Sequence, residues 1–158
     1  MNFLTERGIS SYGELESKLT ALSARRDTSH AEIKRIESRS AELTLVMKHA
    51  GTYRQLKPLY DRYRKSNDKE KFLRGHESEI ILFEAAAREL KRLGTVPLPT
   101  TESMKTELAN LNAEKERLLV KYKAARSEVQ EYETVKQNVD ALLTVPKEQV
   151  QKQVNELE

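Results

Sequence analysis

The chain has no cysteine and no tryptophan, and its 158 residues include only five glycines and four prolines. Without cysteine there are no disulfides, thiolate metal sites or thiol nucleophiles, which accords with a reducing compartment. The scarcity of glycine and proline leaves few obligatory breaks, so long uninterrupted helices are allowed. No apolar run approaches the roughly 20 residues that cross a bilayer, and the segment from Met1 to Ile9 lacks the apolar centre of a signal peptide. The expected location is the cytoplasm, with no membrane insertion.

What remains is 37% hydrophobic and 34% charged, the balance of a solvated helical surface with a narrow apolar stripe. That stripe is legible as two heptad registers. One runs through Leu15, Leu19, Leu22, Arg26, Ser29, Ile33, Ile36, Ser40, Leu43, Met47 and Ala50. The other runs through Met104, Leu108, Leu111, Lys115, Leu118, Tyr122, Ala125, Val129, Tyr132, Lys136, Val139 and Leu143. Two sustained 3.5-residue repeats require a partner along most of their length, and each is the nearest candidate for the other. The expected fold is all-α, a long antiparallel coiled-coil hairpin with a small helical tip. The alternative is an elongated up-down-up three-helix bundle, in which the first helix continues through Gly51 and Pro58 to Ser66 and the first and last helices are parallel.

End signals place the boundaries. Ser11 and Glu14 form a Ser-x-x-Glu capping box, so the first long helix starts near Ser11. Gly51 is expected to end it just after Ala50, and Pro58 to kink or start the next segment. Ser66, Asn67 and Asp68 offer N-caps to a segment whose inward face reads Leu73, His76, Ile80, Phe83, Ala87 and Leu90, with Gly94 as its C-cap. Pro97 and Pro99 interrupt the chain, and Thr100 or Thr101 caps the last long helix. This predicts one helical domain over 1–145, with a stalk of 11–50 and 100–143 and a tip of 51–99. A short amphipathic tail, truncated or frayed, follows at 146–158. In this register Leu15 lies near Val139, Met47 near Leu108 or Met104, and Arg26 level with Glu128. The hairpin closes equally well within one chain or between two, so a homodimer is open.

Charge is uneven. From Tyr53 to Gly75 eight cations (Arg54, Lys57, Arg62, Arg64, Lys65, Lys69, Lys71 and Arg74) face three anions, a net of +5 in a chain whose total is +3. Tyr53, Tyr60, Tyr63 and Phe72 are interleaved with them. Cations that neutralise phosphates and aromatic faces that stack on bases are the materials of a DNA surface. The same tyrosines, recurring at helical spacing, are also what a small core requires. No catalytic constellation is present: there is no Gly-rich phosphate loop and no Gly-x-Ser-x-Gly elbow. A metal site can be drawn from His49, His76 and Glu79, but no His-x-x-x-His spacing supports it, and no metal or cofactor is expected.

Several stretches carry a resemblance. They are Asn2-Phe3-Leu4-x-Glu6-Arg7 with Ser11-Tyr12, the block YRQLKPLYDRYRKS from Tyr53 to Ser66, and the run from Lys71 to Ala86 (KFLRGHESEIILFEAA). Leu98-Pro99-Thr100 and Val135-Lys136-Gln137-Asn138-Val139-Asp140 join them. Together these resemble the carboxy-terminal helical region of relaxase/mobilisation nucleases of conjugative plasmids and integrative conjugative elements of Gram-positive gut bacteria. Such enzymes nick DNA with a tyrosine and a metal held by a histidine cluster, both in an amino-terminal catalytic domain. No such cluster occurs here, so none of Tyr12, Tyr53, Tyr60, Tyr63, Tyr122 or Tyr132 is assigned as nucleophile. The resemblance implies a non-catalytic part that holds transferred single-stranded or nicked DNA, or engages proteins of the conjugation machinery.

Overall fold

The computed structural model describes residues 3–144. Four helices follow one another: α1 (Phe3–Glu6), α2 (Tyr12–Lys65), α3 (Lys69–Arg92) and α4 (Thr101–Leu143). No strand occurs among the described residues, so the protein is all-α. The expected tail at 146–158 lies outside the described residues.

The contacts fall into two compact units. Among the described residues, the first comprises residues 3–33 and 117–144, the second residues 34–116. In the first, Leu15 and Leu22 of α2 are buried with Val129 and Tyr132 of α4, and Leu19, Val135 and Val139 pack around them. Tyr12 Oη donates a hydrogen bond to Asp140 Oδ1, while the His30 and Tyr122 rings lie 5.6 Å apart. Early residues of α2 thus meet late residues of α4, so the two helices are antiparallel here. Helix α1 covers the same core: the Phe3 ring meets Tyr132 edge-on at 5.0 Å. It stops at Gly8, whose φ of 68° is open to glycine without strain. The Ile9 and Gly8 amides then return to the Leu4 and Thr5 carbonyls at 2.8 and 3.1 Å, the pattern of a Schellman cap.

The second unit is antiparallel as well. Arg39 of α2 reaches Glu107 at 2.8 Å, and Glu37 reaches Lys115 at 3.4 Å. Leu43, Val46 and Ala50 share a core with Leu90 of α3 and Met104 of α4, with Met47 and Leu108 packed against it. The parallel first and last helices of the alternative are therefore not what forms, although its first helix running unbroken through Gly51 and Pro58 is. The expected neighbours Leu15 with Val139, and Met47 with Leu108 and Met104, do share their cores.

Two expectations need correction. Gly51 does not end the first long helix, and Pro58 neither starts nor divides one: α2 passes through both to Lys65. The reason is the face it presents. Ala50, Tyr53 and Tyr60 meet α3 on either side of these residues, since Ala50 packs with Leu90 and both tyrosines stack on Phe83. Packing along one continuous strip outweighs the cost of about 1 kcal/mol for an interior glycine and about 3 for an interior proline. The break falls instead in α3, where His76 leaves helical geometry (φ −136°, ψ 27°) next to Gly75. Secondly, Arg26 does not pair with Glu128; its Nε lies 3.1 Å from Asp27 Oδ1. Arg26 shares the face of His30, Tyr122 and Arg126, whereas Glu128 lines the opposite face of the helix pair.

Most end signals act as read. Ser11 Oγ accepts the Glu14 amide at 3.2 Å, although the Glu14 carboxylate reaches back to the amide of Ser10, not Ser11, at 2.7 Å. Those Ser10 bonds hold the Glu14 carboxyl below its ordinary pKa. Asp68 caps α3 through the Lys71 amide at 3.1 Å. Gly94, with φ 69°, closes it in a second Schellman pattern, the Thr95 and Gly94 amides returning to Leu90 and Lys91 at 3.2 and 3.1 Å. Thr100 Oγ1 accepts the Ser103 amide at 3.1 Å and starts α4.

Candidate nucleic-acid interface

The basic segment from Tyr53 to Gly75 lies wholly in the second unit, on the last turns of α2, the turn at Ser66–Asp68 and the first turns of α3. Its aromatic residues form a ladder between the two helices. Tyr53 and Tyr60 stack on Phe83 with centroids 4.8 and 4.3 Å away and ring planes within 25°. Tyr63 lies 5.8 Å from Tyr60 and 6.0 Å from Phe72, which in turn lies 4.7 Å from His76. Phe83 is buried and the three tyrosines are half-buried. Their faces are spent on joining α2 to α3, which is the core role that their helical spacing allowed.

The eight cations separate into four groups. Arg54 is a strut: its guanidinium donates to Thr101 Oγ1 at 2.8 Å and to the Pro99 carbonyl, holding the start of α4 against α2. Lys57 is neutralised one turn on by Asp61 at 3.1 Å. The Arg62 guanidinium sits 5.7 Å from the Phe72 ring centre, and Arg74 Nε donates to the Glu70 carbonyl at 3.4 Å. The side chains of Arg64, Lys65, Lys69 and Lys71 are exposed and form no ion pair among the described residues. These four flank one short turn, held by Ser66 Oγ and the Asp68 backbone at 3.2–3.3 Å.

The placement of the four is informative. Arg64 and Lys65 end α2, where a helix favours cations anyway. Lys69 and Lys71 occupy the first turn of α3, where amides already present positive charge and acids are favoured. Glu70 and the N-cap Asp68 follow that preference, while Lys69 and Lys71 do not. Two lysines thus sit against the helix-end preference where the basic side chains are least engaged, an arrangement that an incoming polyanion would relieve.

His49 and His76, drawn together with Glu79 as a hypothetical metal site, serve separate surroundings. His76 faces Phe72 and lies 3.6 Å from Glu79, while His49 lies close enough to Glu89 to help lower its pKa, chiefly held down by Arg92. Among the described residues no three histidine or acidic side chains are grouped to hold a metal, and no helix is long and apolar enough to cross a membrane. Comparisons with protein-family models, with curated proteins and with solved structures give no match.

Proposed function

We propose that this chain is a non-catalytic accessory domain of a cytoplasmic conjugative relaxase, and that it presents the α2–α3 turn to single-stranded or nicked DNA. One observation carries the DNA contact: Arg64, Lys65, Lys69 and Lys71 gather on one turn, exposed and without ion pairs among the described residues, two of them against the preference of their helix end. The relaxase context rests on the sequence words quoted above, of which the block from Tyr53 to Ser66 is the most specific. Contacts of this kind are made to phosphates, so the domain holds DNA without reading its sequence. The tyrosine ladder stiffens the platform and is not a stacking surface for bases. No nicking step is assigned to this chain.

A second reading, docking to a protein of the transfer machinery without DNA, is favoured by Ile81 and Leu82, adjacent on α3 and 56% and 55% exposed. Fluorescence anisotropy of labelled single-stranded and duplex oligonucleotides, titrated at two salt concentrations, separates the readings. Salt-sensitive binding is expected, the logarithm of affinity falling by about 0.7 per phosphate contact on a single strand. Absence of binding at low salt would leave the protein-docking reading.

A further inference from the structure

In the first unit the pair formed by α2 and α4 has two unlike faces. One is lined by the charged and ring side chains Arg26, Asp27, His30, Tyr122 and Arg126. The other is an open groove of about 620 Å³. Its walls are small side chains, Ala24 and Thr28 from α2 and Ala124 from α4, and Leu22 and Leu118 lie at its floor. Four charges frame it: Arg25, Glu32, Lys121 and Glu128. None of the four forms an ion pair among the described residues, although such pairs recur elsewhere on the same two helices.

The order of these residues is the informative part. Arg25, Thr28 and Glu32 read cation, small, acid at positions i, i+3 and i+7, which share a helix face. Lys121, Ala124 and Glu128 repeat that word at the same spacing. Because the helices are antiparallel in this unit, the two words run in opposite directions. The groove therefore maps approximately onto itself by a half-turn about its centre, near Thr28 and Ala124. A face with this pattern is charge-complementary to itself, as a two-fold dimer requires. When two such grooves meet across the helices, Arg25 comes opposite Glu32 of the partner subunit, and Lys121 opposite Glu128 of the partner subunit. The small walls let helices approach to the lower end of the usual 8–10 Å interaxial range.

We propose that this groove docks a second copy of this chain, the two copies packing α2 and α4 face to face as four helices. The groove spans residues 21–32 of α2 and 118–128 of α4, about 16–18 Å of helix at 1.5 Å per residue. A two-helix face of that length is small beside the roughly 800 Å² per partner of a standard interface. The association is accordingly weak and concentration-dependent, and it is independent of DNA binding.

Sedimentation equilibrium of the chain, from low-micromolar to sub-millimolar concentration, tests this together with two charge variants. Arg25→Glu with Lys121→Glu leaves four acids on the face; Glu32→Lys with Glu128→Lys leaves four cations. Each variant alone is expected to self-associate at least about ten-fold more weakly than the parent chain, with helicity by circular dichroism unchanged. An equimolar mixture of the two is expected to regain association as a heterodimer, which also shows that both are folded. A parent chain that is monomeric throughout, variants that dimerise undiminished, or a mixture that stays monomeric would each overturn the proposal. A monomeric parent chain would leave the groove to a helix of another protein.

Discussion

Removal of the Phe83 ring is the most searching perturbation of the platform beneath the basic turn. Phe83 is 5% exposed and stacks on both Tyr53 and Tyr60, with centroids 4.8 and 4.3 Å away. Truncation of a buried phenylalanine to alanine costs about 3–5 kcal/mol, the sum of lost transfer energy and the cavity left behind. Aromatic pairs contribute about 0.5–1.5 kcal/mol each beyond their burial. Phe83→Leu keeps much of the apolar volume and loses both stacks, so about 1–3 kcal/mol is expected for it. Urea unfolding followed by circular dichroism measures both values. Amide hydrogen exchange supplies the spatial test, because both stacks lie in the second unit and α3 amides are expected to lose protection before those around Leu22 and Val129. A cost below about 1 kcal/mol for Phe83→Ala would refute the ladder as a structural core. So would a Phe83→Leu variant as costly as the alanine.

Other consequences follow from particular contacts. Gly51→Ala is expected to stabilise the protein by about 0.5–1 kcal/mol, since Gly51 is helical and a Cβ there meets nothing within 4 Å; thermal unfolding reads the change. A double-mutant cycle on Arg39 and Glu107 is expected to return about 0.5–1 kcal/mol, because the two-pronged contact at 2.8 and 3.2 Å is roughly 40% exposed on each side. Acid titration is expected to destabilise the fold. The carboxyls of Glu14 (bonded by the Ser10 amide), Glu37 (by Lys115), Glu89 (by Arg92) and Asp140 (by Tyr12) all sit below their ordinary pKa. The unfolded chain therefore takes up protons first, and stability is lost as pH falls from the usual carboxylate range through these lowered values. In alkali the sign reverses: Asp140 raises the Tyr12 phenol, so its contribution is complete below about pH 10 and lost as pH rises beyond it. Tyr12→Phe is expected to flatten that alkaline limb in pH-dependent denaturation.

Much of the helical architecture could be read from residues, because both heptad stripes are long and have few candidates to bury them. Leu15, Leu22, Ile33, Ile36, Leu43 and Ala50 are buried, as are Met104, Leu118, Ala125, Val129 and Tyr132. The register fails at two places for physical reasons. Val46 is buried in place of the fully inward Met47 expected, since α3 and α4 both pack on α2 there. Leu143, at the end of α4, is 69% exposed. A break at Gly51 follows from local propensity alone; the pairing of Phe83 with Tyr53 and Tyr60, between residues more than twenty positions apart, is invisible to propensity and keeps α2 whole. Helix α1 left a fainter trace, Phe3, Leu4, Gly8 and Ile9, too short for periodicity to register. Of the candidate site, the concentration of cations was visible in the sequence. Their division into a strut, a neutralised lysine, two arginines engaged by a ring or a carbonyl, and a free group was not, because Thr101, Pro99 and Phe72 reach Arg54 and Arg62 only through the fold.

The most direct test of the DNA-binding claim replaces Arg64, Lys65, Lys69 and Lys71 together with glutamine. Anisotropy with a labelled single strand is then measured across a salt series beside the unaltered chain. With all four cations on phosphates, the variant is expected to bind much more weakly and to lose about 3 from the log–log salt slope, at about 0.7 per contact. Helicity is expected to be retained, since none of the four side chains forms an ion pair among the described residues. Equal affinity and equal salt slope for the two proteins would contradict the assignment of the α2–α3 turn as the DNA contact.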